Sequence, residues 1–336
     1  MAEVSGRVTL RQVAAHAEVS VPTVSKVING HAGIADETRK RIESSIVATG
    51  YKRRSTSRHT GGLIDLVFGS LSPWSVDIIR GAEEEALKAG LRVAVSSSTK
   101  DRGGMGQWIS SVERGNTNGI ILTFSSLSAT MWARLRRLKT EIVVIDPVDQ
   151  PMAGIPSIGS SNWAGGLQAT EHLLGLGHRR IATITGRIDS LCAQARLDGY
   201  RAALARAGVP SDPALVVTGD FHFESALAAA HRLLDLPQPP TAIVAASDVQ
   251  AMGVYEAARR HGLRIPEDLS VIGFDDIQSA SWLAPPLTTV RQPLAEMAAL
   301  AVRMLVSGNS AAFNDRAELS TNLVVRESTG KARPTP

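Results

Sequence analysis

The chain has 336 residues, of which 43% are hydrophobic and 20% charged, so it is long enough for two or three globular domains. No apolar run approaches the length of a membrane span, and Arg7 and Arg11 interrupt the stretch that a secretory signal would need. The single cysteine, Cys192, excludes an intrachain disulfide, and together these features predict a cytoplasmic protein rather than a membrane or secreted one.

The positive charge is concentrated at one end of the chain. Residues 1–60 hold ten lysines and arginines against five acidic residues, a net charge of +5, whereas the whole chain carries +4. A basic head on a near-neutral body is typical of a protein whose head binds a polyanion. A solvated, basic helical surface would give the same count, so charge alone leaves both interpretations open.

Residues 9–50 carry the signals of three short helices. The first is predicted at about Thr9–Ala17, where apolar residues recur at helical spacing. Ser20 can cap a second helix, Val21–Ile28, by accepting a backbone hydrogen bond, and Pro22 is tolerated in its first turn. A third helix is predicted from about Asp36 to Thr49, with acidic residues first and a glycine after it.

The segment VTLRQVAAHAEVSVPTVSKVING at 8–30 carries a dense set of motifs. It contains T-L-x-x-V-A-x-x-A, then V-S-x-x-T-V-S and V-I-N-G, and ADETRKRIESSIVATGY continues the pattern at 35–51. In these motifs it resembles the DNA-binding head of the lactose-repressor family, which implies a helix-turn-helix domain at residues 1–50. The competing interpretation is a small helical bundle with no role in DNA binding.

The resemblance assigns the base contacts to Val21, Pro22 and Lys26, near the start of the helix that would enter the major groove. Lys26 can donate to guanine acceptors, whereas the other two can make only apolar contacts, for example with a thymine methyl. Further short polar side chains are predicted to contact the DNA: Thr9, Ser20, Thr23, Ser25 and Asn29. Structural roles compete with these, such as a helix cap for Ser20 and a helix stop for Asn29.

Residues 51–62, YKRRSTSRHTGG, are basic and polar and end in glycines, which predicts a hinge or linker. Members of the resembled family commonly follow the head with a short helix whose leucine wedges into the minor groove. This linker contains no leucine, but Arg53, Arg54 and Arg58 could enter a narrow minor groove and sense its width. We therefore expect weak bending of the DNA and a preference for an A·T-rich centre.

From residue 63 onward, strands and helices alternate. Apolar runs predict buried parallel strands at 63–69, 91–98, 119–124 and 141–146, and in a second series at 181–185, 215–219, 242–247 and 269–274. Helices are predicted at Val76–Ala89, Trp163–Leu176, Cys192–Ala207, Phe223–Leu234 and Asp248–His261. Two consecutive series predict two doubly wound α/β lobes that face each other across a ligand cleft.

The core resembles the same family over residues 63–328. The motifs are NWAGGLQATEHLLGLGHRRIATITG at 162–186, RLDGY at 196–200, SDVQAMGV at 247–254, DLSVIGFDDI at 268–277 and PPLTTVRQP at 285–293. The resemblance implies the fold of type I periplasmic sugar-binding proteins. Its first lobe would comprise residues 63–160 plus 290–318 and its second lobe 161–289 plus 319–330, with a small sugar-type effector between them.

Sugar binding requires carboxylates, amides and guanidinium groups for the hydroxyls and an aromatic face for the ring. From the family's ligand positions, Arg196 is the first candidate, because its guanidinium fork can bridge two adjacent hydroxyls. Asp275 follows a buried strand at the expected edge of the cleft, and Phe221 and Trp74 are predicted to offer aromatic surfaces. The alternatives are a surface ion pair for Arg196, core packing for Phe221 and a structural role for the neighbouring Asp276.

Two more candidates for the effector site have weaker signals. Asn162 opens a helix, so it could reach the ligand or merely cap that helix. Ser247 stands where the resembled family usually has an asparagine and cannot offer the bidentate amide, which alters the expected ligand but not its class.

Cys192 begins a helix near the pocket, where it could be either a stabilised thiolate or a small packing residue. His172 and His178 lie six residues apart, which is wrong for one helical face, so no metal or cofactor is expected.

The resemblance predicts a sequence-specific transcriptional regulator, a repressor, that binds a near-palindromic DNA operator as a homodimer under the control of a sugar. The alternative is a sugar-binding protein without a regulatory role, which would need no DNA-binding head. An enzyme is not expected, because adjacent carboxylates are a poor pair across a substrate and no catalytic motif occurs. We expect a nucleoid-associated protein without a membrane partner, and no C-terminal coiled coil, since the tail after residue 327 has no apolar heptads.

Overall fold

A computed structural model describes residues 10–28, 34–49, 62–97, 104–115, 117–123, 127–138, 140–149, 154–307 and 316–333. The chain divides into two compact units, residues 1–60 and residues 61–336. Five of the predicted DNA contacts lie outside the described residues: Thr9, Asn29, Arg53, Arg54 and Arg58. The predictions for the linker at 51–62 fall there too, except for its last residue.

The described residues of the first unit form three helices, α1 (Leu10–His16), α2 (Val21–Ile28) and α3 (Asp36–Thr49). The limits of α2 and α3 agree with the sequence prediction, whereas α1 ends at His16, one residue before its predicted end. The turn between α1 and α2 passes through Glu18 in the left-handed conformation, with φ at 49°. Small and β-branched side chains form the core of this unit: Val13, Ala14, Ala17, Val24, Val27 and Ile42. Their spacing turns one face of each helix inward.

The first lobe of the second unit is built on a six-stranded parallel sheet of order β11-β5-β4-β3-β1-β2. In chain order its elements are β1 (Leu63–Phe68), α4 (Ser75–Lys88), β2 (Arg92–Ser97), α5 (Gly104–Arg114), β3 (Gly119–Leu122), α6 (Ala129–Arg137), β4 (Ile142–Ile145), β5 (Ser157–Ser160), α11 (Leu294–Val306) and β11 (Arg316–Leu319). All residues of β3 and β4 are buried, because helices cover both faces of the sheet.

The second lobe repeats the plan with the order β12-β10-β9-β8-β6-β7. Its elements are α7 (Asn162–Gly175), β6 (Ile181–Thr185), α8 (Leu191–Arg206), β7 (Val216–Thr218), α9 (Phe223–Leu234), β8 (Ala242–Ala245), α10 (Asp248–Arg260), β9 (Ser270–Asp275), β10 (Thr288–Arg291) and β12 (Asn322–Val324). Only β12 is antiparallel among the strand pairs described here. The two lobes together confirm the predicted fold class.

The chain crosses between the lobes three times, after β5, after β10 and after β11. Hydrogen bonds tie these crossings together: the Ser160 hydroxyl donates to the Gln292 amide oxygen at 2.7 Å, and the Thr321 N–H donates to the Ser161 hydroxyl at 2.9 Å. The lobe limits predicted at 290 and 318 fall inside β10 and β11, each of which lies wholly in one sheet. No helix of the described chain is long and apolar enough to cross a membrane.

Candidate ligand cavity and nucleic-acid interface

Helix α2 of the first unit has one buried face and one exposed face. Val24 and Val27 are buried, whereas Pro22 and Lys26 are exposed and Val21 is 37% exposed. The apolar residues predicted to read bases therefore remain on the surface, at the N-terminal end of the helix. This is the end that a helix-turn-helix presents to base edges.

Ser20 holds the start of α2. The Thr23 N–H donates to the Ser20 hydroxyl at 3.3 Å, and the hydroxyls of the two residues lie 2.7 Å apart. The structural alternative for Ser20, a helix cap, is therefore present. Thr23 and Ser25 are half-buried.

A cavity of about 1170 Å³ lies between the lobes, where the loops that follow the strands of both sheets converge. From here on we call it the interlobe cavity. Segments after β1, β3 and β4 form its first-lobe wall, and segments after β6, β7, β8 and β9 form its second-lobe wall. At its rim the Leu191 N–H donates to the carbonyl of Val148 in the opposite lobe at 2.8 Å. The lobes thus touch around a space large enough for a small molecule.

Arg196, on α8, lies in the wall of the interlobe cavity and is only 7% exposed. Its Nε–H donates to Asn162 Oδ1 at 2.8 Å, its Nη1 donates to the Ala246 carbonyl, and its Cζ lies 3.7 Å from the centre of the Phe274 ring. The surface ion pair considered from the sequence is therefore wrong. The guanidinium is fixed in orientation, with hydrogen-bond donors left for a ligand.

Asp275 ends β9 with φ at 119°, a conformation that L residues rarely adopt, and its carboxylate faces the interlobe cavity. Its Oδ1 accepts a hydrogen bond from Gln292 Nε2 at 2.6 Å and lies 3.8 Å from Arg196 Nη1. Burial raises the pKa of Asp275 to about 7, against the attraction of Arg196. Gln292, which sequence reasoning missed, therefore links the cavity wall to the crossing at Ser160.

Asp146 follows β4 and brings a carboxylate from the first lobe. Burial raises its pKa, although Arg196 attracts its charge and Asn162 hydrogen-bonds to it. Asp146 was not among the predicted residues, although the pattern that identified Asp275, an acidic residue directly after a buried strand, also occurs here. Cys192 lies beside it, and burial raises the pKa of this thiol to about 11, which favours a protonated packing residue over a thiolate.

Both predicted aromatic residues line the interlobe cavity, one from each lobe. The Trp74 ring stands perpendicular to Phe68, with ring centres 6.4 Å apart. Phe221 has φ at 72°, and its ring packs on Gly186, where a Cβ would lie 1.9 Å from the ring. The Phe221 ring is half-buried and 5.9 Å from Arg196 Cζ, so part of its surface remains open for a sugar ring.

Ser247 and Asn162, the two weaker candidates, are placed differently by the structure. Ser247 lines the interlobe cavity but also caps α10, since its hydroxyl accepts the Gln250 N–H at 3.1 Å. Asn162 is not among the residues that line the cavity; it is the first residue of α7 and does not cap that helix. Its amide holds Arg196 on one side and donates to the Ser160 carbonyl at 3.1 Å on the other. The structure thus makes Asn162 a support for Arg196 rather than a wall of the cavity.

Asp276 lies at the centre of an ion-pair triad. Its carboxylate accepts hydrogen bonds from Arg291 and Arg326, both at 2.6 Å, and its side chain is 6% exposed. These ion pairs give Asp276 a structural role, the alternative considered from the sequence. His172 and His178 bind threonine side chains, and no metal-binding group of three ligands occurs in the described residues.

Comparisons with known proteins match both units. Residues 9–54 match the model of bacterial regulatory proteins of the lacI family, and residues 170–329 match a periplasmic binding protein-like domain. The ribose operon repressor of Escherichia coli (strain K12) is 33% identical over 308 residues, 89% of this chain and 92% of the relative. A transcriptional regulator CelR–cellobiose complex is 31% identical, with a TM-score of 0.71, over 96% of this chain and all of that one. The lac repressor dimer bound to operator and an anti-inducer is 26% identical, with a TM-score of 0.76, over 97% of this chain and all of that one.

Proposed function

This chain belongs to the lacI family of bacterial regulatory proteins and is a DNA-binding transcriptional regulator, and we propose that it is a repressor controlled by a small sugar in the interlobe cavity. The family match of the head decides against the alternative of a sugar-binding protein without a regulatory role. The proposal rests above all on one observation. The same chain carries an exposed reading face on α2 and a buried, oriented Arg196 in a cavity between two lobes.

For the DNA, we propose that a homodimer binds a near-palindromic operator, because a two-fold protein matches two half-sites. Exposure of Val21, Pro22 and Lys26 supports their role in base reading. Other predicted contacts to the DNA remain proposals: Thr9, Ser20, Thr23, Ser25, Asn29, Arg53, Arg54 and Arg58. A dimer on operator is what the related lac repressor structure contains.

For the effector, we propose that the sugar hydroxyls bind Arg196 and Asp275 while its ring packs on Phe221. A guanidinium and a carboxylate side by side can donate to and accept from adjacent hydroxyls, and an aromatic face suits the apolar side of a sugar ring. Trp74 and Ser247 would complete the site from opposite lobes. The related CelR complex contains cellobiose, which supports the class of ligand.

We propose no catalytic role for this site, since the relatives named above are regulators. Operator binding would place the protein in the cytoplasm, at the nucleoid. No cofactor is needed for the proposed function, because hydrogen bonds and stacking alone can hold the sugar.

The function is tested by selecting operator fragments from genomic DNA and measuring binding by fluorescence anisotropy with and without sugars. We expect a symmetric site, an affinity that falls steeply with salt, and a change in affinity with one or more sugars. The coupling must be reciprocal, so a sugar that weakens operator binding must itself bind the operator complex more weakly. Recovery of no symmetric site, or insensitivity to every sugar, would overturn the proposal.

A further inference from the structure

Asp248 carries a fully buried carboxyl group that does not line the interlobe cavity. It is the first residue of α10, is 0% exposed, and is not among the described residues of the cavity wall. Burial of a carboxyl group is costly unless its oxygens are hydrogen-bonded. The partners of Asp248 therefore indicate which part of the fold it stabilises.

Both oxygens of Asp248 are bonded to the segment around Asp275. Oδ2 accepts the N–H of Ile277 at 2.8 Å, and Oδ1 accepts the hydroxyl of Thr289 at 2.5 Å. Ile277 lies two residues after Asp275, and Thr289 is on β10, the strand that leads to Gln292. One side chain of α10 thus joins the end of β9 to β10.

Gly273 leaves the space that this carboxyl group occupies. Gly273 and Thr289 are register partners on β9 and β10, and a Cβ on Gly273 would lie 2.2 Å from Asp248 Oδ1. A larger residue there would therefore displace the carboxyl group. Asp248, Gly273 and Thr289 come from three different motifs of the core sequence, so these motifs converge on one buried group.

The turn that Asp248 holds has a backbone conformation that residues with a side chain rarely adopt. The φ angle is 119° at Asp275 and 59° at Asp276, so two successive residues have positive φ. Such a turn persists only where the surrounding structure fixes it. Two arginines hold Asp276, and Asp248 holds the residue after it. Asp275 therefore lies between a buried strand and two anchored residues.

We propose that Asp248 is a positioning residue of the effector site: it fixes the turn after β9 and thereby aims the Asp275 carboxylate into the interlobe cavity without contacting the effector. The inference rests on the proposed function and deepens it by adding a residue that acts through Asp275. Burial and the charge of Asp275 also raise the pKa of Asp248, so the two carboxyl groups interact electrostatically as well. The test must separate position from charge.

Two substitutions of Asp248 make this separation. Asp248→Ala removes both acceptors, whereas Asp248→Asn removes only the charge, since its oxygen can accept the Ile277 N–H and its amide can donate to the Thr289 hydroxyl. The matched control is Ser270→Ala, which removes a buried hydroxyl from the other end of β9, where it accepts the Gly330 N–H at 3.0 Å. Urea unfolding identifies the conditions under which each variant is folded.

The first measurement needs no ligand. The titration of Asp275 is followed by NMR of aspartate labelled at the carboxyl carbon, with the resonance assigned from Asp275→Asn. Burial raises the pKa of Asp275 to about 7 in the full chain. In Asp248→Ala this pKa should fall, because a released carboxyl group is better hydrated. Arg196 and Asp146, which also act on Asp275, are the same in every variant.

The second measurement is calorimetry with ribose and cellobiose, the sugars named for two relatives. A sugar that binds the full chain should bind Asp248→Ala about tenfold more weakly. Asp248→Asn should restore both the affinity and the pKa of Asp275, and Ser270→Ala should change neither. Failure of both sugars to bind the full chain would count against the proposed function alone, since the titration would still decide whether Asp248 holds Asp275.

Three results would overturn the inference: an unchanged titration of Asp275 in Asp248→Ala, an equal change in Asp248→Asn, which would assign the effect to charge, or an equal loss of affinity in Ser270→Ala. If Asp248→Ala does not fold, Thr289→Val replaces it. This variant deletes one of the two hydrogen bonds and should move both measurements in the same direction, whereas Thr289→Ser keeps the hydroxyl and should not. Equal behaviour of these two variants would also overturn the inference.

Discussion

Asn162→Ala should weaken sugar binding although the side chain does not line the interlobe cavity. The substitution removes the acceptor of the 2.8 Å hydrogen bond from Arg196 Nε and the donor of the 3.1 Å bond to the Ser160 carbonyl. Because Arg196 is charged and 7% exposed, the first bond is worth about 1.5–3 kcal/mol. We expect that loss to be divided between the free energy of unfolding and sugar affinity, with affinity falling about tenfold.

A double-mutant cycle separates orientation from direct contact. Arg196→Lys keeps the charge but removes the Nε–H that Asn162 accepts. If Asn162 acts through Arg196, Asn162→Ala should lower affinity in the natural chain and have almost no further effect in the Arg196→Lys background. Calorimetry gives the four affinities and urea unfolding gives the four stabilities. An undiminished loss in the Arg196→Lys background would show that Asn162 acts by another route, either through its hydrogen bond to Asp146 or by contact with the sugar itself, and the reasoning would be refuted.

Other predictions address the reading helix, the cavity's titration and the packing of the second lobe. Lys26→Ala should cost about 1–3 kcal/mol of operator affinity and relax one base position, whereas Lys40→Ala, another exposed lysine of the head, should not relax any position in a binding-site selection. Burial raises the pKa of Asp275 to about 7, so sugar affinity measured by calorimetry should rise about tenfold from pH 6 to pH 8, and Asp275→Asn should flatten that profile. The same raised pKa means that Asp275 stabilises the sugar-free fold most below about pH 4 and that this contribution is lost as the pH rises towards 7, which thermal unfolding of both proteins would detect. Gly166→Ala should destabilise the fold by about 1–3 kcal/mol in urea unfolding, because a Cβ would lie 2.2 Å from the Arg196 carbonyl oxygen, whereas Gly175→Ala in the same helix meets nothing within 4 Å. Equal stabilities of the two glycine variants would contradict the packing described for α7 and α8.

Local signals predicted the head and most of the strands because each signal acts within a few residues. A capping serine, a glycine after the last turn and apolar spacing determine α2 and α3, and both helices begin and end at the predicted residues. The elements α5, α6, α11, β5 and β10–β12 were not predicted, although α6 carries a local signal of this kind, the Ser128 hydroxyl that accepts the Met131 N–H. The strands in this group lack such a signal. Strand β11, for example, is exposed at alternate residues and pairs only at the sheet edge, so its sequence has no continuous apolar run.

Site residues that directly follow a buried strand could be predicted from the sequence. Site residues that are positioned by hydrogen bonds to partners far along the chain could not. Asp275 was found and Asp146 could have been, since both follow buried strands. Gln292 and Asn162 illustrate the opposite case. Gln292 is held by hydrogen bonds to Asp275 and Ser160, which lie 17 and 132 residues away in the sequence. Asn162 accepts its hydrogen bond from Arg196, 34 residues along the chain. No local pattern records such a distance, so a polar residue at a crossing could be placed only by the fold.

The distribution of the site between the lobes bears on how a sugar could control DNA binding. Arg196, Asp275 and Phe221 all belong to the second lobe, so they would hold a sugar equally well in any arrangement of the two lobes. A ligand shifts an equilibrium only through contacts that differ between its states. The contacts that can differ come from the first lobe, through Trp74 and Asp146. Second-lobe residues should therefore set the affinity for the sugar, whereas first-lobe residues should set how far its binding changes the affinity for the operator.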